Sequence, residues 1–96
     1  FRGGYLLIEN STITNNTAGD DGGGVAGQTV GVNVVIRNST IAFNTAAGTG
    51  GGLYLRNDGA GYPTTLISSI ISNNTDNGGP NDIFVQAPNT LNVENS

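Results

Sequence analysis

An internal repeat constrains this chain more than any other feature. Asn-Ser-Thr-Ile occurs at Asn10 to Ile13 and again at Asn38 to Ile41. A relaxed copy, Ser-Ser-Ile-Ile, runs from Ser68 to Ile71, and Asn95-Ser96 begins a fourth. Ile8, Ile36, Leu66 and Val93 form a column with nearly the same spacing. Ile13, Ile41 and Ile71 form a second column, and Asn16, Asn44 and Asn74, each followed by Thr, a third. A glycine-rich stretch follows in each copy: Gly22 to Gly24, Gly50 to Gly52, and Gly78-Gly79-Pro80. Then comes an apolar position: Val25, Leu53, Ile83.

The apolar residues between these landmarks alternate: Leu6, Ile8; Val32, Val34, Ile36; Leu53, Leu55; Ile83, Val85; Leu91, Val93. That is the period of a half-buried strand, not of a helix. Each copy holds three expected strands. The first is Val25–Gln28, Leu53–Arg56 or Ile83–Gln86; the second Leu6–Glu9, Val32–Arg37, Thr64–Ile67 or Leu91–Glu94; the third Thr12–Asn15, Thr40–Phe43 or Ile70–Asn73. Three short strands in about 28 residues make one coil of a parallel β-helix, with coils stacked ~4.8 Å apart. The coils are expected at residues 5–31, 32–61 and 62–90, with a fourth starting at 91–96. Matched columns then become stacks, each side chain lying on its own copy. Three internal aliphatic stacks are expected: Ile8, Ile36, Leu66, Val93; Ile13, Ile41, Ile71; and Val25, Leu53, Ile83. Asn10, Asn38 and Asn95, with Ser68 standing in, are expected to form an asparagine ladder at the bend between strands two and three. Asn tolerates the left-handed conformation there, and its amide can bond the copy above. Asn16, Asn44 and Asn74 are expected to close strand three, and the glycines to supply positive φ.

Composition narrows the function classes. Gly (16), Asn (14), Thr (11) and Ser (6) make up about half of the 96 residues, the make-up of bends and ladders. Leu, Ile, Val and Phe make a quarter, 24 of 96, above the roughly 20% floor of disordered chains. No apolar run approaches the ~20 residues that span a bilayer. There is no Cys, His or Lys, and the cations are Arg2, Arg37 and Arg56. Without Cys there is neither a disulfide framework nor a thiolate metal site. The net charge of −4 argues against nucleic acid and anionic membranes as partners. The chain shows no signal peptide and does not begin with Met, so it is expected to be a piece of a longer protein whose flanking coils pack on it.

The unit I-x-N-S-T-I-x-x-N-T-A…G-G-G-[VL] resembles the right-handed parallel β-helix repeats of bacterial surface proteins. It is similar to the repeats of polymorphic outer membrane proteins, marked by GGA-[ILV] and F-x-x-N. Those slots read Gly-Gly-Gly-Val and Gly-Gly-Gly-Leu here, with Ile13-x-x-Asn16, Ile41-x-x-Asn44 and Ile71-x-x-Asn74. The third copy is similar to late coils of large secreted β-helix proteins. The resemblance implies an all-β fold, a right-handed, single-stranded, pectate-lyase-like solenoid of about three coils. It also implies secretion or surface display in a bacterium, often as an autotransporter passenger or adhesin, with glycans or host and cell-surface molecules as partners.

Candidate chemistry is sparse. The carboxylates are Glu9, Asp20, Asp21, Asp58, Asp76, Asp82 and Glu94. Glu9 and Arg37 sit one coil apart in one column, which reads as an exposed ion pair worth roughly 0–1 kcal/mol. A β-helix glycosidase needs two or three carboxylates converging on one face. A β-helix lyase resembles this architecture but uses Arg or Lys as base, usually with Ca²⁺. No catalysis is expected in this segment; the alternative is part of a polysaccharide lyase or glycoside hydrolase. No cofactor is expected. Asp20-Asp21 before a Gly triplet could hold Ca²⁺, but the pair does not recur, and a solvated turn is the simpler reading. Tyr54 and Phe84 share an outward column with Ala26 and could stack on sugar rings, or simply on each other. The Asn-x-Thr sequons at Asn10, Asn15, Asn38 and Asn73 follow from the repeat itself. Thr12 and Thr40 begin a rank, as in ice-binding faces, which Ile70 breaks.

Overall fold

A computed structural model describes residues 4–29, 32–57, 63–85 and 90–95. Arg2, Asp58, Gln86, Ser96 and the boundary positions 31, 61 and 62 lie outside the described residues. The described chain is all-β, with no helix. The first repeat gives β1 (Gly4–Glu9), β2 (Thr12–Thr14), β3 (Thr17–Ala18) and β4 (Val25–Thr29). The second gives β5 (Val32–Arg37), β6 (Thr40–Ala42), β7 (Thr45–Ala46) and β8 (Leu53–Asn57). The third gives β9 (Pro63–Ile67), β10 (Ile70–Ser72) and β11 (Ile83–Val85), and β12 (Thr90–Glu94) follows.

Strands pair only with their counterparts in neighbouring repeats, and every strand pairing is parallel. The sheets run β1-β5-β9-β12, β2-β6-β10, β4-β8-β11 and β3-β7. Ile8 aligns with Ile36, Ile36 with Leu66, and Leu66 with Val93. Ile13, Ile41 and Ile71 align in the second sheet, and Val25, Leu53 and Ile83 in the third. Alternation sends one side chain of each pair inward, so these columns meet in one thin core. In the middle repeat Ile36, Ile41 and Leu53 are 0% exposed. Ile8, Ile13, Val25, Ile71 and Ile83 pack against them half-buried, because each has a neighbouring repeat on one side only among the described residues. Val93 departs from the expected stack: it holds the register of Ile8 but is 54% exposed, so it is no core residue.

Two further expectations change. Strand three ends one residue early, because the left-handed position that closes it is Asn15 (φ 59°), Phe43 (φ 58°) or Asn73 (φ 56°), not Asn16, Asn44 or Asn74. After that bend the chain makes a fourth, two-residue strand, β3 or β7, continued by a parallel bridge from Thr45 to Thr75. Two residues are too few for alternation to show in a sequence.

Repeat length varies at one corner. The stretches from Ile8 to Val25, from Ile36 to Leu53 and from Leu66 to Ile83 are equal in length. The stretches from Val25 to Ile36, from Leu53 to Leu66 and from Ile83 to Val93 are not; the second is the longest and the third the shortest. All the variation therefore falls on the connections β4–β5, β8–β9 and β11–β12.

Candidate functional site

Polar columns flank the apolar core. Asn10, Asn38, Ser68 and Asn95 hold left-handed φ of 51°, 49°, 48° and 53°, and all four side chains are exposed. The side-chain ladder at this bend runs one residue further on. The Ser11 N–H donates to Ser39 Oγ (3.1 Å) and the Ser39 N–H to Ser69 Oγ (3.2 Å). Each hydroxyl turns back onto its own strand end: Ser11 to Glu9 O (2.8 Å), Ser39 to Arg37 O (2.8 Å), Ser69 to Ile67 O (2.9 Å). Ser39 and Ser69 are buried. The sequence shows a polar pair at this bend, Asn-Ser in the first two repeats and Ser-Ser in the third, but not which member points inward. The left-handed bend decides that, turning the first out and, in the second and third repeats, burying the second.

The second column is a hydrogen-bonded asparagine ladder. The Asn16 N–H and Nδ2 both donate to Asn44 Oδ1, each at 3.0 Å. The Asn44 N–H and Nδ2 donate to Asn74 Oδ1 at 2.9 and 3.0 Å. The Asn74 N–H and Nδ2 then donate to Asp82 Oδ1 at 2.8 and 2.9 Å. Asn44 Nδ2 also serves Ile13 O, and Asn74 Nδ2 serves Ile41 O, each at 3.0 Å. Asn44 and Asn74 are fully buried, so every such bond counts against a large desolvation cost. Asp82 did not stand out from the sequence, because no other repeat has a carboxylate there.

The glycine corner packs backbone on backbone. Gly22 and Gly50 have φ of 69° and 68°; in the third repeat Pro80 takes the aligned place, and Gly79 carries the positive φ instead, at 116°. A Cβ on Gly51 would collide with the Thr75 carbonyl.

Most of the described carboxylates are occupied. Glu9 Oε2 lies 2.6 Å from Arg37 Nη2 and 2.7 Å from its Nε, both side chains being exposed. Asp21 Oδ1 accepts the Thr49 N–H at 2.7 Å, across the repeat boundary. Asp20 is exposed beside it, and its carbonyl accepts the Gly48 N–H. Among the described residues no group of three or more acidic side chains could hold a metal ion. Asp76 buckles the third repeat's turn to the second: Oδ1 accepts Asn81 Nδ2 (2.8 Å) and the Gly78 N–H (2.7 Å), and Oδ2 the Gly50 N–H (3.0 Å). The Asn81 amide, helped by the N–H groups of Gly78, Gly50 and Gly79, holds the Asp76 carboxyl below its ordinary value against the opposing effect of burial.

On the sheet β4-β8-β11, Tyr54 and Phe84 stack with ring centroids 5.2 Å apart and planes 12° from parallel. Ala26 is in register with Tyr54. The pair is an inter-repeat contact on a partly exposed face. At the end of the stack, Leu66, Ser69, Ile70, Ile71, Ile83 and Val93 line an open cavity of about 260 Å³.

Comparison with protein-family models, with curated proteins and with solved structures finds no match to this chain.

Proposed function

We propose that the chain is a three-coil segment of a right-handed, single-stranded parallel β-helix with a structural role. It would serve as a rigid, adhesive element of a bacterial surface-exposed or secreted protein. The observation that carries this reading is the use made of its polar side chains. The side chains of Asn16, Asn44, Asn74, Ser39 and Ser69 bond repeat to repeat, and so do those of Asp21 and Asp76. Carboxylates held by backbone N–H groups are poor candidates for general acids or bases, and favourable ones for fixing a scaffold.

Such a stack is stiff because each layer is templated by the one before it. Variable loops can then be carried at the corner between β8 and β9 without disturbing the core. Glycans and cell-surface molecules are the partners this display suits, with the Tyr54–Phe84 face as the aromatic contact. The test is a panel of extracellular polysaccharides and a glycan array. The proposal expects retention on some members with no sugar released. Release of unsaturated or reducing sugars would place the chain with the polysaccharide lyases or glycoside hydrolases instead.

A further inference from the structure

The asparagine ladder has a direction. Each Asn gives its backbone N–H and its Nδ2 to a single oxygen of the next layer. Asn74 makes the same two bonds, but to Asp82, which lies further along its own repeat. Asp82 thus supplies the acceptor that an asparagine of a further layer would supply.

A second, steric observation points the same way. Asp82 precedes Ile83 as Gly24 precedes Val25 and Gly52 precedes Leu53, and those three apolar residues are in register. A Cβ on Gly24 would lie 3.0 Å from Asn44 Nδ2, and one on Gly52 2.7 Å from Asn74 Nδ2. At this position of a repeat, any side chain is built into the place of the next layer's ladder amide. Repeats one and two leave that place open with glycine; repeat three fills it with a carboxylate.

We propose that Asp82 is a stack terminator. It satisfies Asn74 from within repeat three and closes this corner to any further layer that carries a ladder asparagine. The excluded partner is a second copy of this chain joined through its β2 and β4 alone, since β12 already holds the place of that copy's β1 on β9; its Asn16 Oδ1 would otherwise accept from Asn74. β10 and β11 are the edges of their sheets on that side, and an unblocked parallel edge is a template for another chain. The proposal does not depend on what the stack displays.

Asp82→Gly restores the residue of the other repeats, and Asp82→Asn keeps an acceptor oxygen without the charge. Sedimentation equilibrium over a wide concentration range is combined with side-chain amide hydrogen exchange at Asn74. The native chain and Asp82→Asn are expected to stay monomeric, with Asn74 Nδ2 protons as protected as those of Asn44. Asp82→Gly is expected to speed Asn74 exchange in the monomer by about tenfold or more, the factor for losing one charge-assisted hydrogen bond. It is also expected to associate with rising concentration, and a second change, Asn16→Ala, should abolish that association. Asp82→Gly remaining as monomeric as the native chain would overturn the proposal, as would association that survives Asn16→Ala. Should Asp82→Gly fail to fold, the native chain decides: Asn74 Nδ2 exchanging as fast as the exposed amide of Asn77 overturns it.

Discussion

Asn44 binds Asn74 through two hydrogen bonds to one oxygen, its N–H at 2.9 Å and its Nδ2 at 3.0 Å from Asn74 Oδ1, and both side chains are buried. Replacing Asn44 with Ala removes the acceptor for the Asn16 N–H and the donor to Ile13 O. Each buried group left unpaired costs about 1–3 kcal/mol. Asn38→Gly is the control: its side chain is exposed and Gly adopts φ of 49° without strain. Chemical denaturation should show Asn44→Ala losing at least about 2 kcal/mol more than Asn38→Gly. Equal losses would remove the ladder from the account.

The serine column is tested at Ser39. Its Oγ accepts the Ser11 N–H and donates to Arg37 O. Ser39→Ala is expected to lower stability by about 1–2 kcal/mol, with faster exchange of the Ser11 amide. An unaffected Ser11 amide would show that the bond does not form in solution.

Phe43 is the odd member of its column. It holds φ of 58° and is 60% exposed, whereas its counterparts Asn15 and Asn73 hold the same conformation with a residue suited to it. A bulky side chain in the left-handed region costs roughly 1–2 kcal/mol. Phe43→Asn should therefore stabilise the chain by about 1 kcal/mol. A melting temperature at or below that of the native chain would contradict this.

Asp76 gives the fold an acid limit. Its carboxyl titrates lower when folded than when unfolded, held first by the Asn81 amide. The stabilisation is fully present above the ordinary aspartate value of 3.8 and is lost as pH falls through the lowered folded value. Asp76→Asn should flatten stability against pH in this acid range and leave the slope at neutral pH unchanged. An unchanged acid slope in the variant would assign the effect to another group.

Much of this architecture was legible in the sequence because stacking places like on like. Ile13, Ile41 and Ile71 are identical and in register, and the left-handed bends fall at Asn10, Asn38 and Ser68. Three features escaped for physical reasons. β3 and β7 are too short to show a period. The choice of Ser39 over Asn38 as the inward residue follows from a bend angle rather than from residue type. Asp82 acts in one repeat alone, so no column announces it. Val93 matches its column by type and is still exposed, since a column predicts register and not the presence of a cover.

The central claim is that successive repeats lie parallel and in register. The most direct test is a set of proton–proton NOEs in the folded chain. Cross-strand NOEs are predicted between Ile8 and Ile36, Ile36 and Leu66, Ile41 and Ile71, and Leu53 and Ile83, each pair one repeat apart and in one parallel register. Antiparallel contacts between strands adjacent in sequence, such as β4 with β5, in place of these would contradict it.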